Sequence, residues 1–389
     1  MSKIEKLIKE LCPNGVTKHL IKDICNVTRG RIISKIELAN NVGDFPVYSS
    51  QTLNNGVFGK IATFDFDGEY VQWTTDGANA GTIFYRNGKF SVTNVCGLLK
   101  VKDNYLNIIK TTYLAYVLTQ ETKKYVNYAT SNPKLMSNVM ESISVKIPPL
   151  EVQEEIVRIL DKFGELEAEL EAELEARKSQ YEFWRDKLLK GAKKYKLGDI
   201  AKFTYGFTDK ALENGTARYI RITDISENGY LSNSDCKYLN ITEDNNKYIL
   251  KKEDLVVART GASYGKTLLF NSDIPGIYAS FLIKIELNNS IILNRYYWHF
   301  TKSLCYWNQA NNLVSKAGQP QFNSNAIKKI EILVPSLQEQ ERIVSILDKF
   351  DKLVNDISEG LPAEIEARRK QYEYYRNKLL SFEELVVNG

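Results

Sequence analysis

Histidine occurs only twice in the 389 residues, at His19 and His299. Five cysteines (Cys12, Cys25, Cys96, Cys236, Cys305) are scattered with no CxxC pair. A zinc centre and a disulfide framework are both excluded by these counts and spacings. A Ser-His-Asp triad has little to be built from. Scattered, odd-numbered cysteines suit a reducing cytoplasm. No apolar run approaches membrane-spanning length, and the start, MSKIEKLIKE, has no apolar signal core. The expectation is a soluble cytoplasmic protein with no membrane partner. Charge of one sign is lacking too: the net charge is only +4 and the pI about 8.5. That balance permits nucleic acid as a partner without arguing for it.

What the chain has is itself, twice. PPLEVQEEIVRILDKF (148–163) and PSLQEQERIVSILDKF (335–350) share 11 of 16 residues. ARKSQYEFWRDKLL (176–189) and ARRKQYEYYRNKLL (367–380) share 9 of 14. The offset grows from 187 to 191 between the two blocks, so the second copy is four residues longer there. Weaker pairs lie between the blocks: KDICNVTRG (22–30) with GDIAKFTYG (198–206), DGANAGT (76–82) with TGASYGK (260–266), and SNPKLMSN (131–138) with GQPQFNSN (318–325). A period near 190 residues is too long for a solenoid and reads as a tandem duplication.

The strongly shared blocks read as helices. Ile156, Leu160, Phe163, Leu170, Leu174, Tyr181, Trp184 and Leu188 recur at helical spacings. Ile343, Leu347, Phe350, Val354, Ile357, Leu361, Ile365, Tyr372, Tyr375 and Leu379 do the same. Pro148, Pro149 and Pro335 mark the starts, and Gly360-Leu361-Pro362 is expected to kink or break the second stretch. About 44 residues would give roughly 65 Å of helix. Each copy is the natural antiparallel coiled-coil partner of the other, holding two variable domains apart. The first helix carries Leu-Glu-Ala-Glu about three times between residues 165 and 177. The variable parts read as mixed α/β: TIFYR, VCGLLKV, DLVVA and FLIKIEL are strand-like, while TTYLAYVLTQETKKYV and ILNRYYWHFTKSLCYWNQ look helical. The fold class is therefore α+β, two mixed α/β domains separated by two long antiparallel helices. The boundaries are 1–146, 147–190 (helical), 191–333, 334–382 (helical) and a tail at 383–389.

Catalytic motifs fall short. RTGASYGKT (259–267) resembles a phosphate-binding P-loop, but only three residues separate Gly261 from Gly265 where the motif needs four. SNPKL (131–135) lacks the second proline and the aromatic of an adenine methyltransferase motif. An enzyme binding nucleotide at 259–267 is a weak rival to a Gly-rich turn.

Two variable domains, two similar helical segments, the VPxL…QE…ILDKF blocks and the RKxQYEYYRxKLL-like blocks together resemble the specificity subunit of type I restriction–modification systems. The start LCPNGVTKHLIKDI is similar to that family's start, and the resemblance covers essentially the whole chain. It implies a subunit without catalysis of its own and without a bound cofactor or metal. Each target recognition domain would bind one half of a bipartite double-stranded DNA site. The helices would span the spacer and dock two methyltransferase subunits, which use S-adenosylmethionine. Two restriction subunits would bring ATP and Mg²⁺.

On that resemblance the Leu-Glu-Ala-Glu repeat is a ruler. One unit adds about 6 Å of helix against 3.4 Å per base pair, altering the tolerated spacer by roughly one or two base pairs. A simple spacer helix with no bearing on specificity is the alternative. Candidates to contact DNA are Arg29, Arg31, Lys60, Asn79, Asn132 and Lys134 in the first domain. In the second they are Arg259, Ser263, Tyr264, Lys266, Lys316, Gln319 and Gln321. These are the side-chain types that read base edges and hold phosphates, in paired loops. Trp73 and Trp298 are assigned to the core. Leu160, Phe163, Leu170, Leu174, Tyr181, Trp184, Leu347, Phe350, Tyr372 and Tyr375 are the helix-packing or partner-docking residues, with the aromatic stripe taken as core. A stand-alone bivalent DNA-binding protein, repressor-like and without enzyme partners, is the rival binding protein.

Overall fold

In the first unit, five consecutive residues, Tyr70–Thr74, are all buried. This strand is central because both of its faces are covered. The computed structural model describes residues 2–129, 131–191, 193–315, 318–356 and 358–385. The chain divides into two units, Met1–Glu167 with Arg368–Gly389, and Ala168–Ala367.

The first unit holds an antiparallel sheet in the order Cys25–Arg29, Cys96–Val101, Tyr70–Thr74, Ile83–Arg86. A second sheet runs Val57–Ile61, Val42–Tyr48, Lys89–Val92, Phe66–Asp67, with the middle pair parallel. Thr17–Leu20 pairs with Ser144–Ile147 as a separate ribbon. Trp73 is fully buried, and its ring occupies the space where a Cβ on Gly97 would stand, so glycine is required there. The Trp73 indole N–H donates to Leu135 O at 3.0 Å. Burying such a side chain contributes about 2–3 kcal/mol.

The second unit repeats each piece. Its antiparallel sheet is Ala201–Tyr205, Leu282–Leu287, Leu255–Ala258, Thr267–Leu269. Its other sheet is Tyr238–Leu239, Ala217–Ile220, Gly276–Tyr278, Ile249–Leu250, again with a parallel middle pair. Lys193–Lys196 pairs with Glu331–Val334. The stretch expected as one helix from residue 292 is two, Asn294–Phe300 and Leu304–Leu313. Ser303 accepts from Tyr306 N and restarts the helix, a local cap outweighing the apolar run.

The shared blocks form three helices. Leu150–Leu188 is continuous for 39 residues and begins directly after Pro148-Pro149. Leu337–Asn355 starts behind the N-cap Ser336, and Leu361–Leu379 follows. The Gly360–Pro362 segment is a full break. The Asp356 carboxylate accepts from the backbone N–H groups of Ser358 and Glu359. A Cβ on Gly360 would meet the carbonyl oxygens of Lys352, Leu353 and Asp356 at 2.6–2.8 Å. Pro362 falls in the first turn of the new helix, where its missing N–H costs nothing. The apolar position at Ile357 lies outside the described residues.

Packing runs antiparallel within each unit. In the first, the Phe163 ring lies 5.5 Å from Tyr375 and 6.1 Å from Tyr372, and Glu167 pairs with Arg369 at 2.6 Å. Val152, Ile156 and Leu160 share a core with Leu379 and Phe382. Residues beyond the helix continue the first unit: Val16 N–H donates to Glu383 O, and Leu385 N–H donates to Val16 O. In the second unit, Tyr181 stacks on Phe350 at 6.3 Å. Tyr181, Ile343, Leu347 and Val354 lie in one core. Among the described residues, no helix is long and apolar enough to cross a membrane.

Candidate nucleic-acid interface

The weakly similar loop pairs are the same structure built twice. In the first unit Gly77 N–H donates to Pro133 O (3.0 Å), Leu135 N–H to Thr75 O (2.8 Å), and Gly81 N–H to Thr74 O (2.8 Å). In the second, Gly261 N–H donates to Pro320 O (3.1 Å), Phe322 N–H to Arg259 O (2.7 Å), and Gly265 N–H to Ala258 O (2.8 Å). Bridges Asp76 to Lys134 and Thr260 to Gln321 complete the match. Both glycines of each loop have positive φ: Gly77 and Gly81, Gly261 and Gly265. This is the backbone that only glycine adopts readily. The three-residue spacing that spoils a P-loop is thus what this double turn needs. The turn joins antiparallel strands, whereas a P-loop joins a strand to a helix.

Gly30 and Gly206 form a second matched pair. A Cβ on either would sit 2.2–2.4 Å from two carbonyl oxygens of the neighbouring strand end, those of Val92 and Thr93 or of Tyr278 and Ala279. Each half therefore brings three segments together: the strand end before this glycine, the double turn, and the Pro133 or Pro320 segment.

Side chains on this common backbone differ. In the first unit Arg29 donates to Thr75 Oγ1 (3.0 Å) and Asn94 O (2.6 Å) and lies 3.7 Å from Asp76. Lys134 approaches the same carboxylate at 3.9 Å. Asn132 is exposed beside Gly77. Asn79 is partly committed, its amide donating to Ser50 O at 3.0 Å. Arg31, directly after Gly30 and bridged to Thr93, commits its side chain to Asp65 (3.0 Å) and Glu37 (2.7 Å). Lys60 is exposed on the second sheet, opposite Pro46, with no ion pair among the described residues.

In the second unit Arg259 donates to Ser280 O (2.9 Å), and its guanidinium lies 5.3 Å from the Tyr205 ring. It has no carboxylate partner among the described residues. Gln321 donates to Thr260 Oγ1 at 2.8 Å, and Gln319 is exposed above Gly261. Ser263 is half-buried in the turn. Tyr264 turns inward, against Trp307 and Phe322, with its hydroxyl on Asn311 (2.7 Å). Lys266 leaves the group and pairs with Glu227. Lys316 lies outside the described residues. The structure thus gathers Arg29, Asn79, Asn132 and Lys134, and separately Arg259, Ser263, Gln319 and Gln321. Trp73 and Trp298 are both in the core.

The aromatic stripe taken as core divides. Tyr181 is buried and Tyr372 half-buried, but Tyr375 is 37% exposed. Trp184 is half-buried, with Phe183 at 5.6 Å and the Lys187 ammonium 4.8 Å from its ring. Leu160 and Leu347 are fully buried; Phe163, Phe350, Leu170 and Leu174 are half-buried. Two residues not singled out from sequence are Gln153 and Gln340, both fully buried. Gln153 donates to Pro148 O and Ile108 O (both 2.7 Å) and accepts from Lys110 N (2.9 Å). Gln340 repeats this with Pro335 O, Ile291 O and Leu293 N, all at 2.9 Å. Their identity between the two copies was the available signal.

The model of the type I restriction modification DNA specificity domain matches twice, over residues 13–176 and 190–367, one match for each copy of the duplicated architecture. The chain belongs to the type I specificity-subunit family. This specificity subunit is 34% identical over 375 residues to a Mycoplasma pneumoniae chain assigned as type I specificity subunit S.MpnORF507P, covering 94% of this chain and 98% of that one. It is 43% identical over 185 residues to the M. pneumoniae type I restriction enzyme MpnII specificity subunit, covering 46% and 55%. Its fold is similar to the crystal structure of a type I restriction-modification S subunit from M. genitalium, with a TM-score of 0.60, 16% identity, and coverage of 94% and 96%. A chain from a study of type I complex assembly and conformational transition matches with a TM-score of 0.58 and 13% identity over 95% and 98%. Among the described residues, no group of three or more His, Cys, Asp or Glu side chains could hold a metal ion.

Proposed function

We propose that this specificity subunit is the non-catalytic DNA reader of a type I restriction–modification complex. Each unit binds one half of a bipartite double-stranded site through its joined loops. The single observation that supports this most is that one backbone scaffold, with the same hydrogen bonds, appears twice carrying different side chains. Arg29, Asp76 and Lys134 stand where the other half has Tyr205, Thr260 and Gln321. A conserved frame with exchanged donors and acceptors suits two readers of two different sequences.

The helices serve as spacer and as the surface for two methyltransferase subunits, with two restriction subunits completing the complex. S-adenosylmethionine, ATP and Mg²⁺ belong to those partners, and this chain holds no cofactor. The Leu-Glu-Ala-Glu repeat sets the spacer. Its leucines at 166, 170 and 174 shift by about 40° per unit around the helix, so each unit changes rotation as well as length.

The test is a methylation map. The chain is co-expressed with its cognate methyltransferase subunit in a host without other adenine methylation, and modified bases are sequenced. Adenine methylation at one split motif with a fixed spacer is expected. Deleting residues 166–169 should shorten that spacer by one or two base pairs and leave both half-sites unchanged. A complex that forms yet modifies no split motif would overturn the reading. Failure to bind the methyltransferase subunit, with DNA binding retained, would favour the stand-alone binder.

A further inference from the structure

The strands Val42–Tyr48 and Val57–Ile61 are joined by eight residues, SSQTLNNG, although two would suffice for such a hairpin. Asn54 and Asn55 both have φ of 50°, and Gly56 follows with φ of 77°. Two successive non-glycine residues in the left-handed region are strained, and such strain gathers at functional positions. Leu53 at the tip is 82% exposed, and Thr52, Asn54 and Asn55 are exposed beside it. No hydrogen bond from the carboxamide of Asn54 or Asn55 to the protein occurs among the described residues.

The loop is held from beneath. Arg86 is only 2% exposed. Its Nη2 donates to Asn55 O (2.9 Å) and its Nε to Gln72 Oε1 (2.7 Å), while its guanidinium lies 3.6 Å from the Tyr48 ring centre. No carboxylate pairs with it among the described residues. Burial lowers its pKa to about 10, which leaves it charged at neutral pH. Ser49 N–H donates to Gly56 O (2.9 Å), and Gln72 reaches Ser49 O. Asn79 ties the loop to the double turn through Ser50 O. The first unit thus buries an uncompensated cation under a strained, well-braced loop whose polar tips have nothing to bind within the protein.

We propose that residues 51–56 form a base-reading loop of the first recognition domain, with Asn54 and Asn55 as specificity-determining residues. An exposed carboxamide offers the donor and acceptor pair that matches the N6/N7 edge of adenine, and Leu53 offers apolar contact to a thymine methyl. The buried Arg86 charge adds attraction for the phosphates alongside. This rests on the DNA-reading function proposed above and deepens it. In the second unit the corresponding connection, between Ala217–Ile220 and Tyr238–Leu239, has another length and sequence, so the two loops read independently.

The experiment is the same methylation map on the double variant Asn54→Gly/Asn55→Gly. Glycine favours the left-handed backbone, so the loop keeps its shape and loses only the carboxamides. Methylation should fall about 10- to 100-fold at sites carrying one or two particular base pairs of the first half-site, or become indifferent to them. The second half-site, the spacer and the melting temperature should not change. If the wild-type complex modifies no split motif, the DNA-reading function itself fails. If the wild type does so and the variant shows the same base preferences, or weakens both half-sites alike, the loop is not the reader.

Discussion

Near Asp161 in the first half, the Tyr116 hydroxyl donates to that carboxylate at 2.6 Å, and the neighbouring position on the helix is Gly164. At the same place in the second half, His299 Nε2 lies 2.8 Å from Asp348, and Asp351 stands where Gly164 was. Asp351 is 2% exposed and accepts from Lys302 (2.8 Å), Asn355 (3.0 Å), Tyr181 (3.2 Å) and Tyr230. The Tyr181 hydroxyl also meets His299 Nδ1 at 3.1 Å. Burial pushes Asp351 up to about 6 and His299 down to about 4. Both halves stack a ring here, Phe163 on Tyr375 and Phe350 on Tyr181, but the second half adds a buried polar network beside the stack. Duplication preserved backbone hydrogen bonds and let side chains find different solutions to the same burial.

That difference can be broken first at Asp351. Asp351→Ala leaves the buried Lys302 amine and the Tyr181, Tyr230 and Asn355 donors without their shared acceptor, and should destabilise the second unit by about 3–5 kcal/mol. Hydrogen exchange should show the loss in the second unit only, since the first has glycine there. Equal protection losses in both units would refute the asymmetry. The shared frame is tested at its matched glutamines. Gln153→Ala and Gln340→Ala each strand a backbone donor and two carbonyl acceptors, and should cost about 2–3 kcal/mol apiece. Denaturant unfolding followed per unit should give similar values at the two positions. A large inequality would mean the two clamps carry different loads.

The smallest effect separates two glycines of the helical blocks. Nothing lies within 4 Å of a Cβ added at Gly164, so Gly164→Ala should stabilise by about 0.5–1 kcal/mol through helix propensity. Gly360→Ala meets three carbonyl oxygens and should destabilise by about 1–3 kcal/mol. Thermal midpoints moving in opposite directions would bear this out; two shifts of the same sign would count against it.

Much of this was legible in residues alone. Two glycines four apart, repeated as DGANAGT and TGASYGK, carried the double turn because its positive φ values leave little other choice. The prolines and heptad-like spacings carried the helices. The break at Gly360–Pro362 was visible, though its completeness depends on how Asp356 folds back on Ser358 and Glu359. Arg86 and the Asp351 network were not legible. An arginine or aspartate reads as surface until burial is known, and burial here comes from strands distant in sequence. Lys266 looked like a loop cation and proved to be paired with Glu227, some 39 residues upstream, a contact that no local pattern encodes.

The first unit takes Leu379 and Phe382 into its core and pairs Val16 with Glu383 and Leu385. Its strands at residues 17–147 pair among themselves, but its core is completed, on the ribosome, only by residues made more than 200 positions later. The second unit, Ala168–Ala367, is continuous in sequence and has all its parts sooner. The part synthesised first is completed last, and in the interval its core lacks Leu379 and Phe382.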